Sequence, residues 1–575
     1  METAPLSWKN VKAVPPGETV GRIRTILESC GLHTGCRTFG RQGICNSARI
    51  FLTGGGCGKL DIGTNGKGMD EGYALASAYA ELMERLQNKM LLFTIKYASP
   101  QFRKNNPELA GNFPGALSFR YFPDEEYRRI DGKELSAWAH RLIPKASGSL
   151  KSDGKYYDMP FLPFYNVRES KVEDLPYDMI RFAAGSTGLC AGNIPEEAIL
   201  QGLNEIFERH VLQQIYVGCP SFPEIDLSYF RDTAVYDSIM ELSRQNGWQF
   251  VVKDCSLGGR FPVIGLGIGK GSWSPGNLCT FRLGADRNPV IALQRCLSEI
   301  FQGTDIESGS ENSSLSPFRK AEYTHGPVDV PTEYRRNMTD GRGLFPPEIF
   351  RDCGHTDAPA WHHDRDTTIE ENFARTLRRL EDNGYELFIR DNSFLGFPSY
   401  HLYIPGLSDV DGALYDISKD LLPAEEYYKV KPEYRLNSLG REETESLICK
   451  YRKSLEKYVP LFGYVSGRFS MIDRILLLTI LSVRSGNYDN AAAPAVKIFL
   501  EKIKDLPLPQ CFDCTSCQLR KDCFYQEIIG IESKIQALQL QHPVDQSRIG
   551  NIVRPLTSLP HPRQGLHSAH SQHFV

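Results

Sequence analysis

The stretch YALASAYAELMERL, Tyr73 to Leu86, is apolar throughout except at Ser77, Glu81, Glu84 and Arg85. At about 100° per residue those four positions fall within roughly a third of a turn of one another, so the spacing predicts a helix with one narrow polar stripe. A solvated helix would carry polar residues across nearly half its circumference. Here two carboxylates lie in a groove walled by Ala, Leu, Tyr and Met. Such groups must be paired, bind a cation or take up protons, because burying a lone carboxylate is too costly. One Glu-x-x-Glu-Arg segment carries little weight alone, since charge pairs at this spacing are common on ordinary helices.

A second segment, Pro195 to Ile215, repeats the arrangement with Gln201, Glu205, Glu208 and Arg209 among Leu200, Leu203, Ile206, Phe207 and Val211. The offset between matching polar positions is 124 residues at each, which reads as a pseudo-repeat. A third helical segment, Val290 to Phe301, places Arg295 and Glu299 on one face and is followed by Gln302 and Gly303. Five carboxylates and several arginines on three largely apolar helices point to one shared polar cavity. It could be a buried ion-pair network neutralised by Arg85, Arg209 and Arg295. It could instead hold Mg²⁺ on oxygen ligands, with Arg and Gln contacting phosphate oxygens. No His or Cys accompanies the glutamates, which argues against zinc there.

Outward from these helices, the 575-residue chain alternates helical patterns with short apolar runs such as Arg49–Thr53, Phe250–Lys253, Pro262–Ile268 and Glu386–Arg390. That rhythm predicts an α/β, mixed α+β domain over residues 1–420. Residues 421–542 read as a smaller all-helical unit, with Glu443–Lys457, Asp473–Ser485 and Ala492–Lys504 as helices. Residues 543–575, rich in Pro, Ser, Gln and His, read as a disordered tail. Ser308–Ser316 and Pro327–Pro347 read as long surface loops.

Hydrophobic residues at 41%, charged residues at 24% and a net charge of -4 are those of an ordinary globular chain, with no bulk charge for direct nucleic-acid binding. The N-terminus has no secretory core, and the apolar run Ile475–Val483 is too short to span a bilayer, so no membrane association and a cytoplasmic location are expected. Eleven of the fifteen cysteines are scattered and read as buried free thiols.

Glycine-rich phosphate loops are absent. Gly54–Lys59 is followed by Leu60 and lacks the opening glycine, Gly66-Lys67 is followed by Gly68, and Gly265–Gly269 is followed by Lys270 where a dinucleotide motif needs glycine. Any nucleotide site must therefore be built from the carboxylate helices.

Cys511, Cys514, Cys517 and Cys523 form a tight cluster interleaved with Asp513, Thr515, Ser516, Arg520 and Lys521, which excludes an apolar helix face. Thiolates held so close need a cation, and both zinc and iron–sulfur clusters take four of them. Phe524 follows where the ferredoxin pattern has proline, which leaves the two metals open. If this cluster were the working centre, the chain would be a redox or sulfur-transfer protein. The expected role is structural.

The segment Asn65-Gly66-Lys67-Gly68, with Ser77 and Glu81 to Arg85, resembles the first nucleotide motif of the YcaO family. Ala191-Gly192-Asn193 with Gln201, Gly202 and Glu205 to Arg209 resembles the second, and Ala292 to Arg295 with Glu299, Gln302 and Gly303 the third. The resemblance runs through Ile404–Asp409 and is closest to the stand-alone enterobacterial type, with Thr187 standing where that type has Asn. It implies a magnesium- and ATP-dependent enzyme that O-phosphorylates a peptide backbone amide. Glu81, Glu84, Glu205 and Glu208 would hold Mg²⁺. Lys67, Ser77, Arg85, Gln201, Arg295 and Glu299 would contact the nucleotide or support those contacts, with Lys12 and Thr19 at the nucleoside end.

The chemistries implied are thioamidation, cyclodehydration or an accessory role in ribosomal-protein methylthiolation. A non-catalytic binding protein that retains the fold is the alternative. No general base is identified. The end His570–Val575 lacks alternating prolines, which argues against azoline formation, and nothing before Lys12 resembles a leader-peptide-binding domain. A partner protein for substrate or sulfur delivery is therefore expected, and the family resemblance implies a homodimer.

Overall fold

The computed structural model describes residues 12–41, 45–53, 62–91, 122–145, 154–269, 278–300, 319–320, 330–340, 345–361, 368–410, 440–456 and 524–557. Helix α1 (Pro16–Ser29) leads into an antiparallel sheet of β1 (His33–Arg41), β2 (Cys45–Thr53) and β3 (Gly63–Gly68), followed by α2 (Glu71–Gln87). Strand alternation sorts β2 cleanly. Ala48, Ile50 and Leu52 enter the core beneath α1 and α2, while Ser47 and Arg49 face the opposite way.

A second sheet has the order β4 (Glu126–Asp131), β5 (Tyr156–Asn166), β14 (Phe388–Asp391), β15 (Ser399–Tyr403), β7 (Leu189–Ala191), with β6 (Lys171–Pro176) paired to β5. Helices α3 (Gly132–Leu142), α4 (Tyr177–Ala184) and α5 (Pro195–Gly218) lie along this part of the chain. The third sheet runs β12 (Arg319–Lys320), β11 (Leu278–Ala285), β10 (Val263–Gly269), β9 (Gln249–Asp254), β8 (Glu224–Ile225), β13 (His355–Thr356). It carries α6 (Ala234–Asn246) and α7 (Pro289–Ile300), and α8 (Val330–Asp340) and α9 (Ile369–Asp382) pack against α5. The class is mixed α/β.

The packing places three helices around one space. Helix α2 covers the first sheet and reaches β7 and β15, α5 packs on those same two strands, and α7 lies on β10 and β11 while touching β2 and β3. The 124-residue offset extends to a backbone approach. A Cβ on Gly68 would lie 2.7 Å from the Ala74 nitrogen, and one on Gly192 would lie 2.8 Å from the Ala198 nitrogen. Both pairs keep the spacing seen in the polar stripes, so a glycine at the end of β3 and one just past β7 let α2 and α5 seat in equivalent ways.

Three expectations need correction. Residues 330–340 of the supposed loop Pro327–Pro347 form α8, because Val330, Tyr334 and Met338 recur every fourth residue and pack into the core with Tyr216 and Phe281. The tail is ordered where it is described. The Gln546 side chain accepts from the Asp391 N–H at 2.7 Å and donates to the Asp391 carbonyl at 2.9 Å. Beyond it α12 (Ile549–Thr557) buries Ile549 and Val553 among Leu377, Leu380 and Tyr165. Ile549, Ile552 and Val553 share one helix face, a pattern that the polar composition around them masks. Among the described scattered cysteines, Cys30, Cys190, Cys255 and Cys296 are buried, whereas Cys36, Cys219, Cys353 and Cys449 are exposed.

Of residues 421–542, the structure describes α10 (Arg441–Glu456) and α11 (Phe524–Gln541). Helix α11 buries Ile535 in the core formed by α1, the first sheet and α2. Asp473–Ser485, Ala492–Lys504, Ser308–Ser316 and the cysteine cluster lie outside the described residues. Among the described residues no helix is long and apolar enough to cross a membrane.

Glycine packing and buried histidine generate two predictions. Gly68→Ala and Gly192→Ala should each cost about 2 kcal/mol in urea denaturation, since both would force a Cβ onto helix backbone. Wild-type stability in either variant would refute the equivalence. The His401 ring lies edge-on to Phe164 and Tyr177, and burial together with Arg390 holds its proton affinity down to about 3. The unfolded ring binds a proton near pH 6.5, so stability present above that pH is lost as the pH falls toward 3. His210, held down to about 3 by burial, Lys145 and Arg260, adds to the same loss. His401→Phe should therefore give a shallower decline in stability between pH 6.5 and 5, and an unchanged slope would contradict this account.

Candidate functional site

Each helix opens to solvent where the polar stripe runs. On α2, Ser77, Glu81, Glu84 and Arg85 are half-buried while Ala74, Ala78, Leu82, Met83 and Leu86 are sealed in the core. On α5, Gln201, Glu205, Glu208 and Arg209 are half-buried between Gly202, Leu203, Ile206 and Phe207, which are buried. On α7, Arg295 and Glu299 are half-buried beside buried Ala292, Cys296 and Ser298.

These stripes share one electrostatic neighbourhood. Arg85 lies 3.4 Å from Glu81 and 3.5 Å from Glu84, and Arg209 lies 4.0 Å from Glu205. Arg295 on α7 donates to the Gln201 side chain on α5 at 2.6 Å and lies 3.5 Å from Asp286. Lys67 on β3 pairs with Glu299 on α7. Burial raises the Glu84 carboxyl well above the usual range, Arg85 opposes this, and the Glu205 and Glu81 carboxylates add to the rise. Glu205 is raised by burial first, partly offset by Arg209 and Arg85, and raised again by Glu208 and Glu81. Burial takes the Lys67 ammonium down to about 8, with Arg295 and Arg209 adding to the fall and Glu208 and Glu81 opposing it.

The balance bears on the ion-pair alternative. The arginines stand at the long end of ion-pair range and do not return Glu84 or Glu205 to ordinary carboxylate behaviour, so the groove has room for further positive charge. Its donors are carboxylate oxygens with amide and hydroxyl neighbours, the set Mg²⁺ prefers. The residues therefore fit such an ion. Among the described residues no group of three or more Asp, Glu, His or Cys side chains is already placed to hold a metal ion.

The remaining expected residues make contacts of their own. Lys12 is 3.3 Å from Glu197 at the start of α5, whose carboxylate also accepts from the Asn193 backbone and side chain. Thr19 is buried, and its hydroxyl donates at 3.5 Å to the Pro15 carbonyl, a backbone contact within its own turn. Gln302 and Gly303 lie outside the described residues.

Sequence reading missed two groups, Arg49 and Asp286. Arg49, 6% exposed, donates to Asn65 at 3.2 Å, and the two stand paired across β2 and β3 on the side chain alternation shared by Lys67. Asp286 accepts from the Asn288 N–H and orients Arg295. A charged residue at the inner position of a strand is the signal for Arg49. None existed for Asp286, which reads as an ordinary turn residue.

Residues 65–408 match the family described as YcaO cyclodehydratase, ATP- and Mg²⁺-binding. The chain is 28% identical over 361 residues to the ribosomal protein S12 methylthiotransferase accessory factor YcaO of Escherichia coli strain K12, covering 60% of this chain and 57% of that one. It is 26% identical over 356 residues to an uncharacterized protein of Haemophilus influenzae, with the same coverage. The structure of YcaO from Methanopyrus kandleri bound with AMPPCP and Mg²⁺ gives a TM-score of 0.41 at 16% identity, over 71% of this chain and 96% of that one. The chain belongs to the YcaO family. It spans 57% of the length of the curated relatives it matches.

The Arg295–Gln201 bond is the direct link between α5 and α7, and its loss is testable. Gln201→Ala should weaken Mg²⁺-ATP binding by roughly tenfold, with Gln201→Glu restoring part of it through a charged pair to Arg295. Equal affinity in all three proteins by calorimetry would show that Arg295 needs no such support.

Proposed function

We propose that the groove between α2, α5 and α7 binds Mg²⁺-ATP, and that the protein O-phosphorylates a backbone amide of a peptide or protein substrate. The observation that carries this reading is the pair Glu84 and Glu205. They come from two helices, both are raised by burial, Glu84 is raised further by Glu205 and Glu81, and Arg85 and Arg209 do not offset the rise. Family membership supports the same reading. Glu81, Glu84, Glu205 and Glu208 would hold the Mg²⁺. When bound, Mg²⁺ neutralises phosphate charge and polarises the transferring group.

The chain's own residues do the positioning. Arg295, braced by Gln201 and Asp286, presents a fixed guanidinium to phosphate oxygens, while Lys67, Ser77, Arg85 and Glu299 line the same groove. Lys12 and Thr19 stand at the nucleoside end. Phosphoryl transfer needs mainly such placement and charge neutralisation. An amide oxygen is a poor leaving group. A nucleophile adds to the amide carbon, its electron pair displacing the C=O π pair onto oxygen. That oxygen then takes the γ-phosphoryl group as the bond to ADP breaks, and the C–O bond cleaves to release phosphate.

A neighbouring thiol or hydroxyl would yield an azoline, an internal amide an amidine, and delivered sulfide a thioamide. The E. coli relative's description as an accessory factor supports placing this chemistry beside a methylthiotransferase acting on a ribosomal protein. A partner protein delivers substrate or sulfur, and the working unit is a homodimer.

Glu84→Gln and Glu208→Gln are each expected to weaken Mg²⁺-ATP binding at least tenfold by calorimetry, with helical content unchanged. Wild-type affinity in both would remove the site assignment.

The four cysteines Cys511, Cys514, Cys517 and Cys523 supply a separate part of the reading, a structural zinc or iron–sulfur site immediately before α11. Metal analysis of anaerobically purified protein should find about one equivalent of zinc or the iron of one cluster. Cys514→Ser should lose that metal while retaining ATP turnover in the fraction that stays folded. Under half an equivalent of either metal would exclude the site.

A further inference from the structure

Strand β1 ends the first sheet, and among the described residues no strand pairs with its outer edge. Cys36, Arg37 and Thr38 at its middle are all exposed, although successive side chains point to opposite faces. Both faces of the strand are therefore open to solvent there. The sheet is also free of acids. Its three strands carry Arg37, Arg41, Arg49 and Lys67, with His33 at one end and no Asp or Glu.

Pairing sets Arg37 beside Arg49 and Asn65, and Phe39 beside Ser47 and Lys67, so all six share one face. Arg49 is engaged by Asn65 and Lys67 by Glu299. Arg37 makes no ion pair among the described residues, and its guanidinium sits over the Phe51 ring, 5.0 Å from the centroid. Phe51 reaches it because Gly35 has no side chain: a Cβ there would stand 2.6 Å from the ring. An exposed cation is thus seated on an aromatic ring at a free sheet edge.

We propose that β1 docks an extended acidic segment of the peptide or protein substrate as a fourth strand. An edge strand offers a row of backbone N–H and C=O groups that an extended chain satisfies, which favours a peptide over a nucleic acid. A carboxylate side chain opposite Arg37 would lie on the same face, within reach of the guanidinium. Pairing of two β1 strands about Arg37 would instead set like charges against each other. A charge that only guards the edge against aggregation explains Arg37 at mid-strand, but not its aromatic seat or a sheet without acids. The identity of the occupant rests on the peptide-modifying function proposed above. Strands lie about 4.8 Å apart, so the docked segment would run about 14 Å from β3, which carries Lys67. The docked segment and the activated amide are then different parts of the substrate, roughly four extended residues apart or more.

The test is fluorescence anisotropy of a labelled short peptide of alternating valine and glutamate, titrated with the full chain in the absence of nucleotide. This peptide should bind, whereas its lysine counterpart and a form methylated at every backbone nitrogen should not. Arg37→Glu should weaken binding roughly tenfold or more, and Arg37→Lys should lose less, with circular dichroism unchanged in both. Mg²⁺-ATP affinity separates this inference from the nucleotide site. Arg37→Glu should keep it while losing the peptide, and Glu84→Gln should keep the peptide while losing nucleotide. Peptide capture by a wild-type chain that binds no Mg²⁺-ATP would uphold the docking strand and fail the nucleotide reading. No binding at millimolar peptide, equal binding of the lysine peptide, or wild-type affinity in Arg37→Glu would overturn the proposal. So would tighter binding of a single-stranded oligonucleotide. A crosslink between Cys36 of two copies in solution, lost in Cys36→Ser, would assign the edge to a second copy instead.

Discussion

The architecture depends on confining carboxylates from two helices in one partly desolvated groove. Glu84 and Glu205 are drawn together by the packing of α2 and α5 on β7 and β15, and not by attraction between their side chains. Their mutual repulsion and loss of hydration oppose the fold. Apolar burial beneath them offsets that cost, through Ala78, Leu82 and Met83 on one helix and Leu203, Ile206 and Val211 on the other. The site is thus held by the scaffold under electrostatic strain, and cation binding would relieve it.

The scaffold achieves this by bringing distant parts of the chain into the same cores. Phe394 and Phe397 join the core under the first sheet, and Gln87 donates to the Phe397 carbonyl and accepts from the Leu395 N–H. Asn88 extends the tie to Asn392 and Ser399. The C-terminal end of α2 is thereby fixed to the β14–β15 connection, which bears on Glu84 one turn earlier. From the other end of the chain, α11 and α12 close over the same body, with Gln546 standing in for a strand partner at Asp391.

Helix α5 is buried on most of its circumference and meets different surroundings on opposite sides. One carries Gln201, Glu205, Glu208 and Arg209 into the acidic groove, while Phe207 forms part of a small pocket behind it, lined also by Arg260, Arg287 and Arg379. Asp286, just before α7, lies 3.5 Å from Arg295 and pulls on the Arg287 guanidinium through its charge.

The sequence by itself determined the three carboxylate helices, the repeat between two of them and the mixed α/β class, because helical periodicity and apolar burial are local signals. Their stripes of Glu and Arg stand out against Ala, Leu and Ile without knowledge of any contact. Tertiary structure decided which groups meet. The Arg295–Gln201 bond, the Lys67–Glu299 pair and the placement of Arg49 beside Asn65 join residues far apart in the chain. It also decided that Val330–Asp340 and Ile549–Thr557 form helices. Each has a weak pattern of its own and becomes stable only where a neighbouring core accepts Tyr334, Ile549 or Val553. The shared pocket of Arg260, Arg287 and Arg379 was illegible for the same reason, since the three lie far apart in the chain and meet only through the fold.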